Sequence, residues 1–116
     1  MNKLNIALTL NLDNLYGMVE RNSLLLSIQR ALLFNILAYI RFIFIEVEKG
    51  PFLKIWIYSD KELNESEKEI YYSVAGEVVG DFTELNNQDV EVLFFVDQSN
   101  FENIQKLTNL VYARYE

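Results

Sequence analysis

Two segments of the chain carry apolar residues at the spacing of an amphipathic helix. In residues 23–37, "SLLLSIQRALLFNIL", this spacing predicts a largely buried helix with Ser23 as its N-cap. In residues 64–82, Asn64 and Glu67 have the spacing of a capping box, which predicts a second helix with an acidic first turn. The side of this helix opposite its apolar stripe comprises Glu65, Glu69, Tyr72, Ser73, Gly76 and Gly80.

Four other segments have the pattern of β-strands. Residues 39–48 and 52–59 are β-branched and aromatic runs on either side of a Gly-Pro break, which predicts an antiparallel hairpin with a loop of about four residues. Residues 89–97 alternate apolar and polar positions, and residues 110–116 form a fourth candidate strand. These elements predict an α+β fold, in which two main helices pack on an antiparallel sheet of about four strands. The pattern within residues 1–20 fits a strand or a helix equally well.

The length and composition fit a single domain spanning residues 1–116. Apolar residues make up 51% of the chain and only one residue is proline, which favours a compact globule. The first residues lack the apolar core of a signal peptide, and Arg30 and Arg41 interrupt the most hydrophobic region before it reaches the length of a membrane span. We therefore expect a cytoplasmic protein that does not contact a membrane.

The sequence contains no histidine and no cysteine. Their absence removes the commonest general base, the thiolate nucleophile and the usual ligands of zinc, haem and iron-sulfur clusters. Glu77 and Asp81, four residues apart, repel each other and need a cation, which Arg30, Arg41 or Arg114 could supply internally, or a partner could. We expect no enzymatic activity, no metal and no cofactor.

Gly76 and Gly80 lie one turn apart within the second predicted helix. They do not match a phosphate-binding loop, because no strand precedes them and their charged neighbours are acidic. Small residues at this spacing allow close approach of another chain or of another part of the same chain. Each glycine costs about 0.5–1 kcal/mol in a helix interior, so we expect a compensating contact.

Negative charge is concentrated in the second half of the chain. Residues 1–45 contain four basic and two acidic groups, whereas residues 46–116 contain six basic and fifteen acidic groups. Within residues 60–102 there are twelve acidic and two basic groups, a net charge of −10. Such a surface repels nucleic acid and anionic membranes, and it favours either a basic protein partner or solubility alone.

Several short motifs resemble those of small bacterial immunity proteins of the polymorphic-toxin type, including those of contact-dependent growth inhibition. The motifs are Arg30–Leu33 in the first helix, Arg41 at the start of the hairpin, the acidic run Glu77–Phe82, and the closing Val111–Glu116. The resemblance covers residues 27–116 and has no counterpart for the first 20 or so. Gly76 and Gly80 depart from that family's pattern.

This resemblance implies a non-enzymatic inhibitor that binds a cognate toxin in the cytoplasm and blocks its active site or substrate surface. Many such toxins are nucleases with basic clefts, which an acidic helix would complement. The residues expected to bind the partner are Asp60, Glu62, Glu65, Glu69, Tyr72 and Asp81. An alternative is a homodimeric interaction module without a toxin partner, and the sequence leaves the oligomeric state open.

Overall fold

A computed structural model describes residues 19–86 and 88–116 of the chain. Over these residues the fold is α+β, as predicted, with two helices and a four-stranded sheet. The elements are α1 (Arg21–Leu32), β1 (Ile40–Glu48), β2 (Phe52–Ser59), α2 (Glu65–Gly80), β3 (Val90–Val96) and β4 (Asn109–Ala113). Residues 1–18, for which a strand and a helix were both open, lie outside the described residues. Neither α1 nor α2 has the length and apolar content that crossing a bilayer requires.

The sheet has the strand order β3-β2-β1-β4 and is mostly antiparallel. β1 pairs antiparallel with both β2 and β4, which confirms the predicted hairpin. β3, however, runs parallel to β2, so the sheet is mixed and not wholly antiparallel. The cause is α2, which connects β2 to β3 and returns the chain to the end of the sheet where β2 began.

The two helices begin at side-chain caps. α1 starts earlier than predicted, because the Glu20 carboxylate accepts the Ser23 N–H at 2.7 Å and Glu20 is therefore the N-cap. It also ends earlier, at Leu32, two residues before Phe34 adopts the left-handed backbone conformation with φ of 64°. α2 starts with the predicted capping box.

In that capping box, the Glu67 N–H donates to Asn64 Oδ1 and the Asn64 N–H donates to Glu67 Oε1, both at 2.9 Å. The hairpin turn has three residues, one fewer than predicted, and its central Gly50 has a φ of 149°, which side-chain-bearing residues rarely adopt.

The larger hydrophobic core lies between the two helices and one face of the sheet. β1 and β2 bury isoleucines on this face, and each such side chain contributes about 1.5–3 kcal/mol relative to an exposed position. Val90, Val92 and Phe94 of β3 pack against the same core, as their alternation predicts, whereas Val96 is exposed. The residues at the centre of this core are Ile28, Ile43, Ile45, Ile55, Ile57, Tyr71, Val74 and Val78.

A second, smaller core covers the opposite face of the sheet. Because β3 and β4 lie at opposite edges, the chain between them must cross this face. The crossing segment, residues 97–108, places Phe101 and Ile104 over the aromatic side chains of the two central strands. The ring of Phe101 stacks on Phe44 at 6.1 Å between centroids and meets the ring of Phe42 edge-on at 5.1 Å. The Tyr58 hydroxyl donates to the Gln105 carbonyl at 2.7 Å, which fixes the segment to β2.

Arg41 connects β1 to the start of this crossing and to the residues after β4. Its side chain is 5% exposed and forms a two-pronged ion pair with Glu116, with both N–O distances 2.7 Å. Nη1 also donates to the carbonyls of Asp97 at 2.7 Å and Ser99 at 2.9 Å. The guanidinium thus holds together the end of β3, the start of the crossing segment and the residues after β4.

The Arg41 contact makes stability depend on the charge of Glu116. Hydrogen bonds from Arg41, with further attraction from Arg114, lower the pKa of the Glu116 side chain from its usual 4.5 to about 2. Glu116→Gln should therefore lower the free energy of unfolding at pH 7. The difference from wild type should be complete above about pH 4.5 and should vanish as the pH falls towards 2.

Urea denaturation of both proteins between pH 7 and pH 2.5 measures this difference, and comparison at each pH cancels the titration of the other carboxylates. A difference that stays constant over this range would show that the ion pair does not stabilise the fold.

Candidate partner-binding surface

The outer face of α2 presents a line of residues that the fold does not bury. Glu65, Glu69, Tyr72 and Gly76 follow one another at intervals of four, three and four residues, so they lie along one side of the helix. All four are exposed, and so are Ser73 and Gly80 beside them. The outer face predicted from the sequence is thus confirmed.

Tyr72 belongs to this line and also lines an apolar groove. Its side chain is 44% exposed, and its ring meets Phe94 of β3 edge-on at 5.7 Å between centroids. The groove lies between α2 and β3 and has a volume of about 250 Å³. Its lining residues are Tyr72, Ala75, Gly76, Val79, Val90 and Val92.

The two glycines of α2 do not serve a close contact within the described residues. A Cβ atom built on Gly76 or on Gly80 would meet no atom within 4 Å, and neither residue has a positive φ. Of the two explanations that the sequence allows, close approach within the described chain is therefore excluded. The open space at Gly76 belongs to the groove.

Three of the predicted partner-binding carboxylates have no side-chain partner among the described residues. Glu65 and Glu69 on α2, and Glu62 just before it, are exposed and form no ion pair or side-chain hydrogen bond with any described residue. Unpaired carboxylates at a helix N-terminus interact favourably with the helix dipole, yet they remain free to attract an external cation. With Tyr72, they form the part of the predicted site that the structure brings together.

Asp60 differs from these residues because it is bound internally. Its carboxylate receives two hydrogen bonds from Arg114, at 2.5 Å from Nη1 and 3.0 Å from Nη2. These bonds lower the pKa of Asp60 and raise that of Arg114. Arg114 also contacts Glu116 at 3.0 Å, so Asp60 belongs to the ion-pair network around Arg41.

Asp81, at the C-terminal end of α2, is also held by contacts within the fold. The buried Ser27 hydroxyl donates to Asp81 Oδ2 at 2.6 Å, and Arg30 Nη1 lies 3.7 Å from the same oxygen. Arg30 is thus the internal cation for this carboxylate, one of the three candidates that the sequence offered. The contact joins α1 to the end of α2, away from the line that begins at Glu65.

Sequence reasoning missed the part of this surface that β3 contributes. The alternation of residues 89–97 predicted a strand, but it did not show that the strand lies at an edge of the sheet. Leu93, on the face of the sheet opposite α2, and Val96, at the end of β3, are 40% and 56% exposed, which is unusual for apolar residues on a seven-residue edge strand. The available signal was Val96, because it is an apolar residue at the end of the predicted strand, where a polar residue is usual at an exposed position.

The surface has the chemistry of a recognition site. Within residues 19–86 and 88–116, no group of three or more carboxylates is placed to hold a metal ion. The arrangement combines unpaired negative charge, one half-exposed aromatic ring and an apolar groove, which are the components of a protein-binding surface.

The family model described as MafI2 immunity protein matches residues 21–116. The chain belongs to the MafI2 immunity protein family. Family membership supports an immunity protein of the polymorphic-toxin type, with a cognate toxin as its partner, as the motifs in the sequence indicated. The narrower assignment to contact-dependent growth inhibition stays a prediction. No curated protein sequence matches the chain significantly.

The open space at Gly76 leads to a prediction about stability. Because an added methyl group meets no atom and the residue lies inside α2, Gly76→Ala should raise the free energy of unfolding by about 0.5–1 kcal/mol. Thermal and urea denaturation of the isolated protein measure the change. A destabilised variant would mean that a residue outside the described part of the chain packs closely on Gly76.

Proposed function

We propose that this MafI2 family member neutralises its toxin by binding it through the acidic outer face of α2. The observation that carries the proposal is the set of unpaired carboxylates, Glu62, Glu65 and Glu69, next to the half-exposed ring of Tyr72. None of the three forms an ion pair or side-chain hydrogen bond with a described residue, so they are free to bind the partner that family membership supplies.

The charge of this surface suggests the chemistry of the toxin. Residues 60–102 carry a net charge of −10. The carboxylates that bind within the fold, such as Asp60 and Asp81, lie outside the outer face of α2. A basic toxin, such as a nuclease domain whose cleft binds phosphates, is the complementary partner. Binding over such a cleft blocks substrate access, so inhibition needs no chemistry from the immunity protein.

The electrostatic field contributes mainly to the speed of inhibition. Complementary potentials raise association rates by roughly tenfold to a thousandfold at low salt, and they do so without a large gain in affinity. In the cytoplasm, a toxin must be captured before it acts, so a fast association rate has direct value. Affinity depends on buried anchors, and Tyr72 is the aromatic side chain best placed to act as one.

Charge reversal on α2 tests the electrostatic part of the proposal. Glu69→Lys should slow association with the cognate toxin domain, and the double change Glu65→Lys with Glu69→Lys should slow it further and flatten its salt dependence. Glu102→Lys is the matched control, because it makes the same charge change on the opposite face of the sheet. Stopped-flow or surface-plasmon measurements give the rates.

If Glu69→Lys and Glu102→Lys slow association equally, the effect comes from net charge alone and the toxin does not contact α2. Melting temperatures of Glu69→Lys and Glu102→Lys should stay close to that of wild type, since neither glutamate has an ion-pair partner among the described residues. The double variant should melt slightly lower, because Glu65 lies in the first turn of α2 and its reversal costs about 0.3–1 kcal/mol of favourable interaction with the helix dipole.

Tyr72→Ala tests the anchor. Loss of the ring should raise the dissociation rate and cost about 1–3 kcal/mol of binding free energy, while the association rate changes little. Tyr115→Ala, at another exposed tyrosine beyond β4, is the control. Equal dissociation rates for wild type and Tyr72→Ala would remove Tyr72 from the interface.

A further inference from the structure

The outer edge of β3 has no strand paired with it among the described residues. β3 lies at one end of the sheet order, and its partner β2 occupies only its inner side. The Asp89 carbonyl accepts the Leu53 N–H at 2.9 Å, and the Asp97 N–H donates to the Ser59 carbonyl at 3.3 Å. Because alternate residues of a strand direct their backbone groups to opposite sides, the odd-numbered residues of β3 face β2.

The even-numbered residues of β3 therefore present their backbone groups to the open edge. The amides and carbonyls of Val92, Phe94 and Val96 are available to pair with another extended segment. Native proteins protect such edges with charges, proline or a covering element, but the exposed positions here include the apolar Leu93 and Val96. An edge of this kind is suited to a partner strand.

The apolar groove lies beside this edge, on the face of the sheet that α2 covers. Val90 and Val92 line the groove with their side chains while the backbone of β3 forms the edge. An extended segment that paired with β3 would direct every second side chain towards α2, where the open space at Gly76 can receive one. The edge and the groove thus form one continuous surface.

Charge discriminates among the possible occupants. Glu77 directly follows Gly76, Asp89 directly precedes Val90, and Glu69 lies one helical turn before Tyr72, so the rim of the surface is acidic. A second copy of this chain would bring two α2 helices together, each with four glutamates and one lysine. Residues 1–18 contain one basic and one acidic residue, so they offer no charge complementarity. A basic segment of another protein fits best.

We propose that an extended segment of the toxin, with alternating basic and apolar residues, adds to β3 as a fifth strand and inserts an apolar side chain into the groove beside Gly76. This proposal rests on the proposed function and specifies how the toxin is held. Backbone pairing would supply affinity, the groove would select one side chain, and the acidic rim would select its basic neighbours.

Amide hydrogen exchange on the full-length protein tests the strand pairing. In the free protein, the amides of Val92, Phe94 and Val96 should exchange fast, whereas those of Leu93 and Phe95, which face β2, should be protected and serve as internal controls. Addition of the cognate toxin domain, carrying an inactivating substitution, should slow exchange at the three even-numbered residues by at least about tenfold. Unchanged exchange in the complex would overturn the proposal.

Amide exchange in the free protein also tests whether another segment of this chain or a second copy occupies the edge of β3. Slow exchange at the even-numbered residues of a monomer would show that another part of this chain, such as residues 1–18, already covers the edge. Slow exchange accompanied by a doubled mass in sedimentation would show a homodimer. Either result overturns the proposal.

Two matched pairs of variants test the groove and the edge separately. Gly76→Leu should fill the groove and weaken toxin binding by about tenfold or more, whereas Gly80→Leu adds the same side chain one turn away, outside the groove, and should bind like wild type. Val96→Pro removes an outward N–H, and Val96→Thr retains it. The proline variant should bind about tenfold more weakly than the threonine variant.

These outcomes separate the two proposals. If Gly76→Leu and Val96→Pro bind the toxin domain like their controls while Glu69→Lys associates slowly, the toxin contacts α2 but does not pair with β3. If the wild-type protein itself does not bind the toxin domain, the proposed function fails and the strand pairing fails with it.

Discussion

The fold is closed by one buried guanidinium. β3 and β4 lie at opposite edges of the sheet, and the chain that joins them has to cross a full face of aromatic side chains. Arg41, near the start of β1, donates hydrogen bonds to the carbonyls of Asp97 and Ser99, where that crossing begins. It also forms an ion pair with the carboxylate of Glu116, beyond the end of β4. A charge buried at this position requires several partners, and it has four hydrogen bonds. The crossing segment and the residues after β4 are thus both tied to β1 through one side chain.

Local signals in the sequence predicted most of the secondary structure. The capping box at Asn64 and the Gly-Pro break gave the start of α2 and the position of the hairpin, because both depend on neighbouring residues. The direction of β3 could not be predicted in this way, since an alternating strand looks the same whether its neighbour is parallel or antiparallel. The end of α1 was misplaced because the apolar pattern continues past Leu32 although the backbone turns at Phe34.

The candidate surface was predicted in part for a similar reason. Helical spacing placed Glu65, Glu69 and Tyr72 on one face, which the structure confirms. Charge composition alone could not separate these carboxylates from Asp60 and Asp81, whose partners come from residues 54 positions away along the chain. Contacts of that range depend on the tertiary fold, so the position of a carboxylate in the sequence does not show whether the fold uses it.

The empty space over the two glycines of α2 has a consequence for how such proteins evolve. A Cβ atom added at either position meets no atom within 4 Å among the described residues, and Glu65 and Glu69 on the same helix form no ion pair with any of them. Small substitutions at Gly76 and Glu69 can therefore change this face without destabilising the fold. Under the proposed binding mode, the chain can follow an evolving toxin through nearly neutral steps, because the residues that contact the toxin are separate from those that specify the fold.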